Sequence, residues 1–258
     1  MTYVQKFYLL YNERFDRKQP KVLLKNKKEI LLEQFLKIKT KKIRGFRAYC
    51  SKNIIKLPFK NSAKLAYFIG WVLGDGCLRT PIKRKRGGYY WSVEITCEKK
   101  WTLLLQKIIY DLFSYKARIK PDKNKKNCWR VNVDSIIIFR FLNRILGLNY
   151  GKKSGNLPWL VEFTSDKKIF KNFLAGIMDS DGYRGKYLAL IQQDKKFLEK
   201  IKIKSKELLD IEFTGPRVNR KMENKIVGWW ILIYRKEEMK EFINKVPSRY
   251  YDVQTMPG

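Results

Sequence analysis

The sequence predicts an α+β protein made of two related halves, each mixing helices with antiparallel strands. Three observations carry this. Two apolar stretches share one ending: Phe68-Ile69-Gly70-Trp71-Val72-Leu73-Gly74-Asp75-Gly76 and Leu174-Ala175-Gly176-Ile177-Met178-Asp179-Ser180-Asp181-Gly182. The segments after the first stretch recur, in kind and order, after the second. The strand-like segments alternate apolar and polar residues, as sheets with one buried and one open face do.

Taken in order, residues 1–60 form a basic extension outside the repeat. Helical periodicity marks Lys28 to Leu36, and Lys37 to Arg47 is strongly basic. That reads as a basic binding arm or as a helix packed on the first half. Residues 61–150 are the first half. Its apolar stretch is followed by a strand at Trp91 to Thr96 and a helix from Glu98 to about Phe113. Next come a basic strand with Ala117-Arg118-Ile119, a Lys/Asn-rich turn, the strand Trp129 to Val133 and a closing helix through Phe141 to Ile145. Residues 151–164 connect the halves, with Gly, Lys and Ser crowded between Gly151 and Pro158. Residues 165–258 repeat the plan. Tyr187 to Gln192 is a strand and Asp194 opens a helix to about Leu209. Pro216-Arg217-Val218 and Trp229 to Ile233 are strands, and Phe242 to Val246 lies on the closing helix. Each half therefore reads helix, two strands, helix, two strands, helix.

The shared stretches explain themselves physically. Small residues at Gly70 and Gly74, and at Ala175 and Gly176, let two helices approach closely. Gly76 and Gly182 are expected to end their helices in the left-handed conformation. Asp75 and Asp181 then sit at helix C-termini, where the macrodipole disfavours a carboxylate. Bringing the two together adds mutual repulsion. A divalent cation relieves both problems, and Mg²⁺ with oxygen ligands is the natural candidate. Either stretch alone also suits a core helix capped by glycine, with its Asp in solvent.

Composition narrows the partners. With 57 Lys+Arg against 24 Asp+Glu the net charge is +33, more than solubility requires and opposed to compactness by self-repulsion. A polyanion is the simplest partner. Nucleic acid is favoured over a membrane surface because the basic residues run along the whole chain among aromatics. Histidine is absent, which excludes imidazole-base nuclease chemistry and every Cys/His zinc site. Cys50, Cys77, Cys97 and Cys128 have no metal-ligand spacing and read as free thiols in a reducing compartment. The longest apolar run, Leu65 to Leu73, is too short to span a bilayer.

The second stretch nearly spells the motif that names the LAGLIDADG homing endonucleases, and the first is a weaker copy. The chain resembles the single-chain, two-motif type of that family from residue 61 to about 250. Its element order matches the family's αββαββα unit. The resemblance implies a pseudo-symmetric pair of subdomains whose antiparallel sheets form a saddle over double-stranded DNA. It implies cleavage of both strands at a long asymmetric target, leaving 3′ overhangs, with Mg²⁺ as cofactor and Mn²⁺ or Ca²⁺ as substitutes. Asp75 and Asp181 would be the catalytic metal ligands, with the backbone carbonyls of Gly74 and Ser180 completing the coordination. Gln193 fits the place at a strand end where family members order water near the metals, while the first half offers Cys97, or Thr96 beside it. Asp179 falls where the motif has its first Asp but Leu73 takes that place in the first half, so Asp179 reads as a structural polar group rather than a metal ligand. Lys99 and Lys195, at equivalent helix starts, read as solvated lysines or as phosphate neighbours.

Candidate DNA contacts are Arg79, Lys83, Arg84, Lys85 and Arg86 at a predicted hairpin, with the shorter counterpart Arg184 and Lys186. Arg118, Lys120, Arg217, Arg220 and Lys221 lie on strands or turns expected to face DNA, where Arg can read guanine edges and Lys more often meets phosphate. The halves differ at most exposed positions, which predicts a monomer and a non-palindromic site. The alternative is an intron RNA-splicing maturase of the same fold. A regulator with a dead nuclease fold is disfavoured because both acids remain. An intein is not expected, since residue 1 is neither Cys nor Ser and the sequence has no His-Asn pair. The expected setting is intracellular, in a genome-bearing compartment.

Overall fold

The computed structural model describes residues 21–24, 29–31, 43–47, 53–58, 61–80, 82–83, 89–151, 165–222 and 225–249. The chain divides into two compact units. One takes in the described residues of 1–60 together with Cys77–Gly151; the other takes Asn61–Gly76 together with the described residues from 152 onward. The first motif helix therefore packs with the second half, and the compact units do not follow the sequence halves.

In the first unit β1 (Lys21–Leu24), β2 (Glu29–Leu31) and β3 (Ile43–Arg47) form a three-stranded antiparallel sheet in the order β2-β1-β3. The periodicity over Lys28 to Leu36 led to an expected helix, yet Glu29–Leu31 pair with Lys21–Leu23. Short apolar runs fit either period, and pairing with β1 decides this one. Phe46 is fully buried and bridges to Ile55, and the Lys56 amide donates to the Phe113 carbonyl at 2.9 Å. This end of the extension is thus packed on the first half.

A second sheet has the order β4-β7-β9-β8, formed by β4 (Gly76–Leu78), β7 (Val93–Glu98), β9 (Cys128–Val133) and β8 (Arg118–Pro121). A small hairpin, β5 (Ile82–Lys83) with β6 (Tyr89–Tyr90), extends the β4–β7 connection. Val93, Ile95, Cys97, Val131 and Val133 share the buried face. The amphipathic helix between the strand pairs, Lys99–Phe113, buries Trp101, Leu105, Ile108, Ile109 and Phe113. The closing helix Ile136–Arg140 passes into a π-turn over Phe141–Ile145, and Phe113 meets Phe141 edge-on.

The second unit begins with α1 (Ala63–Leu73). In chain order the remaining helices are α2 (Lys99–Phe113), α3 (Ile136–Arg140), α4 (Lys167–Asp181), α5 (Lys195–Leu209) and α6 (Lys236–Lys245). The unit's sheet runs β10-β11-β13-β12, from β10 (Gly182–Arg184), β11 (Leu188–Gln192), β13 (Lys225–Ile233) and β12 (Thr214–Met222). Leu188, Leu190, Ile231 and Ile233 share one buried face, and α5 supplies buried Phe197, Leu198 and Ile201. Side-chain caps start four of the helices: Ser62 accepts from Leu65, Ser135 from Ile138, Asp166 from Ile169 and Asp194 from Phe197. No described helix is long and apolar enough to cross a membrane.

Candidate nuclease centre at the motif helix ends

Residues Leu65 to Leu73 of α1 are all buried, and α4 buries Phe170 and Phe173 through Asp179. The two helices pack backbone against backbone. A Cβ on Gly176 would fall 2.1 Å from the Tyr67 carbonyl oxygen, and one on Gly70 would fall 2.5 Å from that of Phe173. The small residues create this approach, as the sequence requires.

The approach continues to the helix ends. A Cβ on Gly74 would lie 1.9 Å from Ser180 Oγ and 3.3 Å from Asp181 Cβ. Asp75 follows Gly74 in the turn after α1, and Asp181 is the last residue of α4. Both acids are half-exposed at helix C-termini. Ser180 Oγ turns back onto its own helix, 2.9 Å from the Gly176 carbonyl and 3.1 Å from that of Ile177. Gly76 and Gly182 do not take the expected left-handed conformation. Gly182 has φ −76° and ψ 141°, and neither is among the positive-φ glycines. Space is the reason for glycine here, since a Cβ would fall 2.5 Å from the Val72 carbonyl oxygen or 2.4 Å from that of Met178.

The residue on Asp181 is Gln192, not Gln193. Gln192 Nε2 donates to Asp181 Oδ2 at 2.9 Å, and Gln192 is 8% exposed. Gln193 is exposed in the bend after β11. Strand register explains the shift. Gln192 pairs with Trp229, as Cys97 pairs with Trp129 in the first half. Lys195 lies 5.1 Å over Trp229, and Lys99 lies 5.5 Å over Trp129. Gln193 is therefore one extra residue between strand and helix. Counting back from the equivalent lysines puts Gln193 opposite Cys97, whereas the structure puts Gln192 there. The two lysines have matching tryptophan partners that a reading of solvated helix starts does not anticipate.

Asp179 is buried and fully engaged. It accepts from Tyr67 Oη at 2.6 Å, from the Arg249 amide at 3.0 Å and from the Ser248 hydroxyl. The Arg249 guanidinium stands 5.5 Å over the Tyr67 ring. Burial, and then the Asp179 carboxylate, push the Tyr67 hydroxyl far above the ordinary tyrosine range. Asp179 ties α1 and α4 to the segment after α6.

The expected DNA contacts separate into groups. Arg84, Lys85 and Arg86 lie outside the described residues. Lys83, Lys120, Lys186, Arg217 and Arg220 are exposed, and Lys221 lies in β12. Arg79 and Arg118 are exposed but held by carboxylates. Arg79 Nε donates to Glu94 Oε2 at 2.8 Å, and Arg118 pairs with Asp134. Asp134, with its hydrogen bond, holds the Arg118 guanidinium above its ordinary pKa. Arg184 pairs with Leu188 across the sheet and so shares the covered face; it is half-buried.

The donor set suits a hard divalent ion. The two helix ends that bear Asp75 and Asp181 come together at Gly74 and Ser180, and no cluster of three or more His, Cys, Asp or Glu able to hold a metal occurs among the described residues. Mg²⁺ characteristically takes one or two carboxylates and fills its shell with water and substrate phosphate. The Gly74–Ser180 approach leaves no room for larger side chains between the acids' backbones.

No protein-family model matches the chain, and no curated protein matches it. Solved structures do. The homing endonuclease I-DmoI in complex with DNA and Mn is similar at a TM-score of 0.55 and 19% identity, over 72% of this chain and 97% of that one. I-WcaI bound to its DNA recognition sequence gives 0.51 and 17%, over 76% and 89%. A mesophilic variant of I-DmoI gives 0.54 and 18%, over 71% and 94%. The chain has the α+β fold of the single-chain LAGLIDADG homing endonucleases.

Proposed function

We propose that this protein is a divalent-metal-dependent DNA endonuclease that cuts both strands of a long, asymmetric target and leaves 3′ overhangs. The observation that carries the proposal is the backbone-close convergence of two Asp-bearing helix ends. Fold likeness to DNA-bound endonucleases and a net charge of +33 support it. Asp75 and Asp181, with the carbonyls of Gly74 and Ser180, would hold Mg²⁺. The bound ion supplies a water of lowered pKa and charge stabilisation for the leaving 3′-oxygen. Gln192 orients the Asp181 carboxylate by donating to Oδ2. Cys97, at the matching register position, has a thiol in place of the amide. The two strands are therefore cut at unequal rates, and a nicked intermediate accumulates. The enzyme acts as a monomer in a genome-bearing compartment.

The test is cleavage of a randomised duplex library by purified protein in Mg²⁺ and in EDTA, with Asp75→Asn and Asp181→Asn alongside. The expected result is metal-dependent cutting at one long site, lost in both variants while binding persists and weakens steeply with salt. Full activity in both variants would remove the metal assignment. No cleavage by the native chain, with tight binding to a structured intron RNA, would replace it with a maturase.

A further inference from the structure

The last turn of α4, Met178 to Asp181, is poorly supported by its own sequence. It holds two carboxylates, Asp179 and Asp181, and no basic residue, although the negative end of a helix macrodipole favours cations. The other helices of this sheet layer do close on cations, with Lys206 in α5 and Lys245 in α6. Ser180 does not help, because its hydroxyl returns to the Gly176 and Ile177 carbonyls, a bond that slightly destabilises helices. α1 meets no such problem. Its last turn, Gly70 to Leu73, is buried and uncharged, and Asp75 lies beyond the helix.

Support for α4 arrives from far along the chain. Phe242 and Val246 bury the end of α6, and Val246 is extended before Pro247. The residue before a proline avoids helical backbone, so the chain leaves the helix there. Ser248, which is buried, then donates its hydroxyl to Asp179 Oδ1, and the Arg249 amide donates to Oδ2 at 3.0 Å. Tyr67 of α1 donates to the same Oδ2 at 2.6 Å. Two of these three donors thus belong to the segment after α6, and none has a part in strand cleavage.

Asp179 acts on the metal site only through the backbone. Residues two apart on a helix do not face each other, and Asp181 meets Gln192 of β11 instead, at 2.9 Å. What the two acids share is the turn that holds both. Unwinding that turn would displace the Asp181 carboxylate and the Ser180 carbonyl together.

We propose that Ser248 and Arg249 form a positioning clasp for the second motif: by holding Asp179 they keep the last turn of α4 wound and so fix the Asp181 carboxylate in place. The consequence for metal binding rests on Asp181 being a metal ligand, whereas the clasp has its own readout.

The test joins amide hydrogen exchange with Mn²⁺ binding followed by electron paramagnetic resonance, on the full native chain, Ser248→Ala and Asp181→Asn. Ser248→Ala should speed exchange over residues 178–182 about tenfold or more and leave β11 and β13 within about twofold of native. It should also weaken Mn²⁺ binding about tenfold, with Asp181→Asn setting the size of a full loss. Unchanged exchange over 178–182, or equal acceleration throughout the unit, would overturn the clasp. Faster exchange with native Mn²⁺ affinity would overturn its positioning role. A native chain that binds no Mn²⁺, with exchange over 178–182 still dependent on Ser248, would support the clasp and remove the nuclease reading instead. Should Ser248→Ala fail to fold, the native chain decides. Equal protection of the Arg249 and Gly182 amides supports one shared opening, and an unprotected Arg249 amide beside a protected Gly182 amide overturns it.

Discussion

The two motif helices end in the same Asp-Gly, yet their ends are built differently. Leu73 of α1 is buried apolar packing. Asp179, at the matching place in α4, is a buried carboxylate holding Tyr67, Ser248 and Arg249. Asp181 is buttressed by Gln192, whose register counterpart is Cys97. Equal letters in a motif can thus do unequal work, since neighbours distant in sequence decide what each side chain meets.

That contrast can be broken first at the shared packing. Gly176→Ala forces a Cβ to within 2.1 Å of the Tyr67 carbonyl oxygen and should cost about 3 kcal/mol or more, read from denaturant melts; a stability equal to the native chain's would refute the close helix pair. Asp179→Leu makes α4 resemble α1, but strands the Tyr67 and Ser248 hydroxyls without their acceptor. We expect a loss of about 2 kcal/mol, and a gain in stability would show that the first motif's solution is transferable. Gln192→Ala should slow cutting of one strand about tenfold, seen as a longer-lived nicked plasmid, while Gln193→Ala should not. The reverse ranking would restore Gln193 to the site.

The smallest effect concerns pH. Tyr67 keeps its proton in the folded state well above the ordinary tyrosine pKa, because burial and Asp179 disfavour the phenolate. The folded chain then holds a proton that the unfolded chain releases above about pH 10. Its contribution to stability is full below that pH and falls as pH rises, by up to about 1.4 kcal/mol per pH unit. Tyr67→Phe should flatten this part of the alkaline decline, and an unchanged slope between about pH 10 and 11 would exclude Tyr67 as its source.

The sheets differ in the same way. Arg79 and Arg118 are each clamped by a carboxylate in the first unit, whereas Arg217 and Arg220 stand in an acid-free sheet beside aromatic rings. A run of basic residues looks alike in both halves of the sequence. Only strand pairing brings Glu94 to Arg79 and Asp134 to Arg118. Arg184 shows the other side of this, since pairing with Leu188 turns a candidate surface arginine toward the covered face.

By itself the sequence determined the α+β class, the repeat, the helix from Lys99 to Phe113 and the carboxylates at two helix ends. Those rest on short-range periodicity, capping and glycine placement, which a chain carries locally. The Gly70–Gly176 approach was legible for the same reason. Only the tertiary structure decided that Glu29–Leu31 join a sheet, that α1 packs within the second unit, and that Gly76 and Gly182 are required for space rather than for a left-handed turn. It also decided between Gln192 and Gln193. Successive strand residues face opposite ways, so one extra residue before a helix reverses which amide reaches the acid, and only cross-strand register reveals where that residue sits.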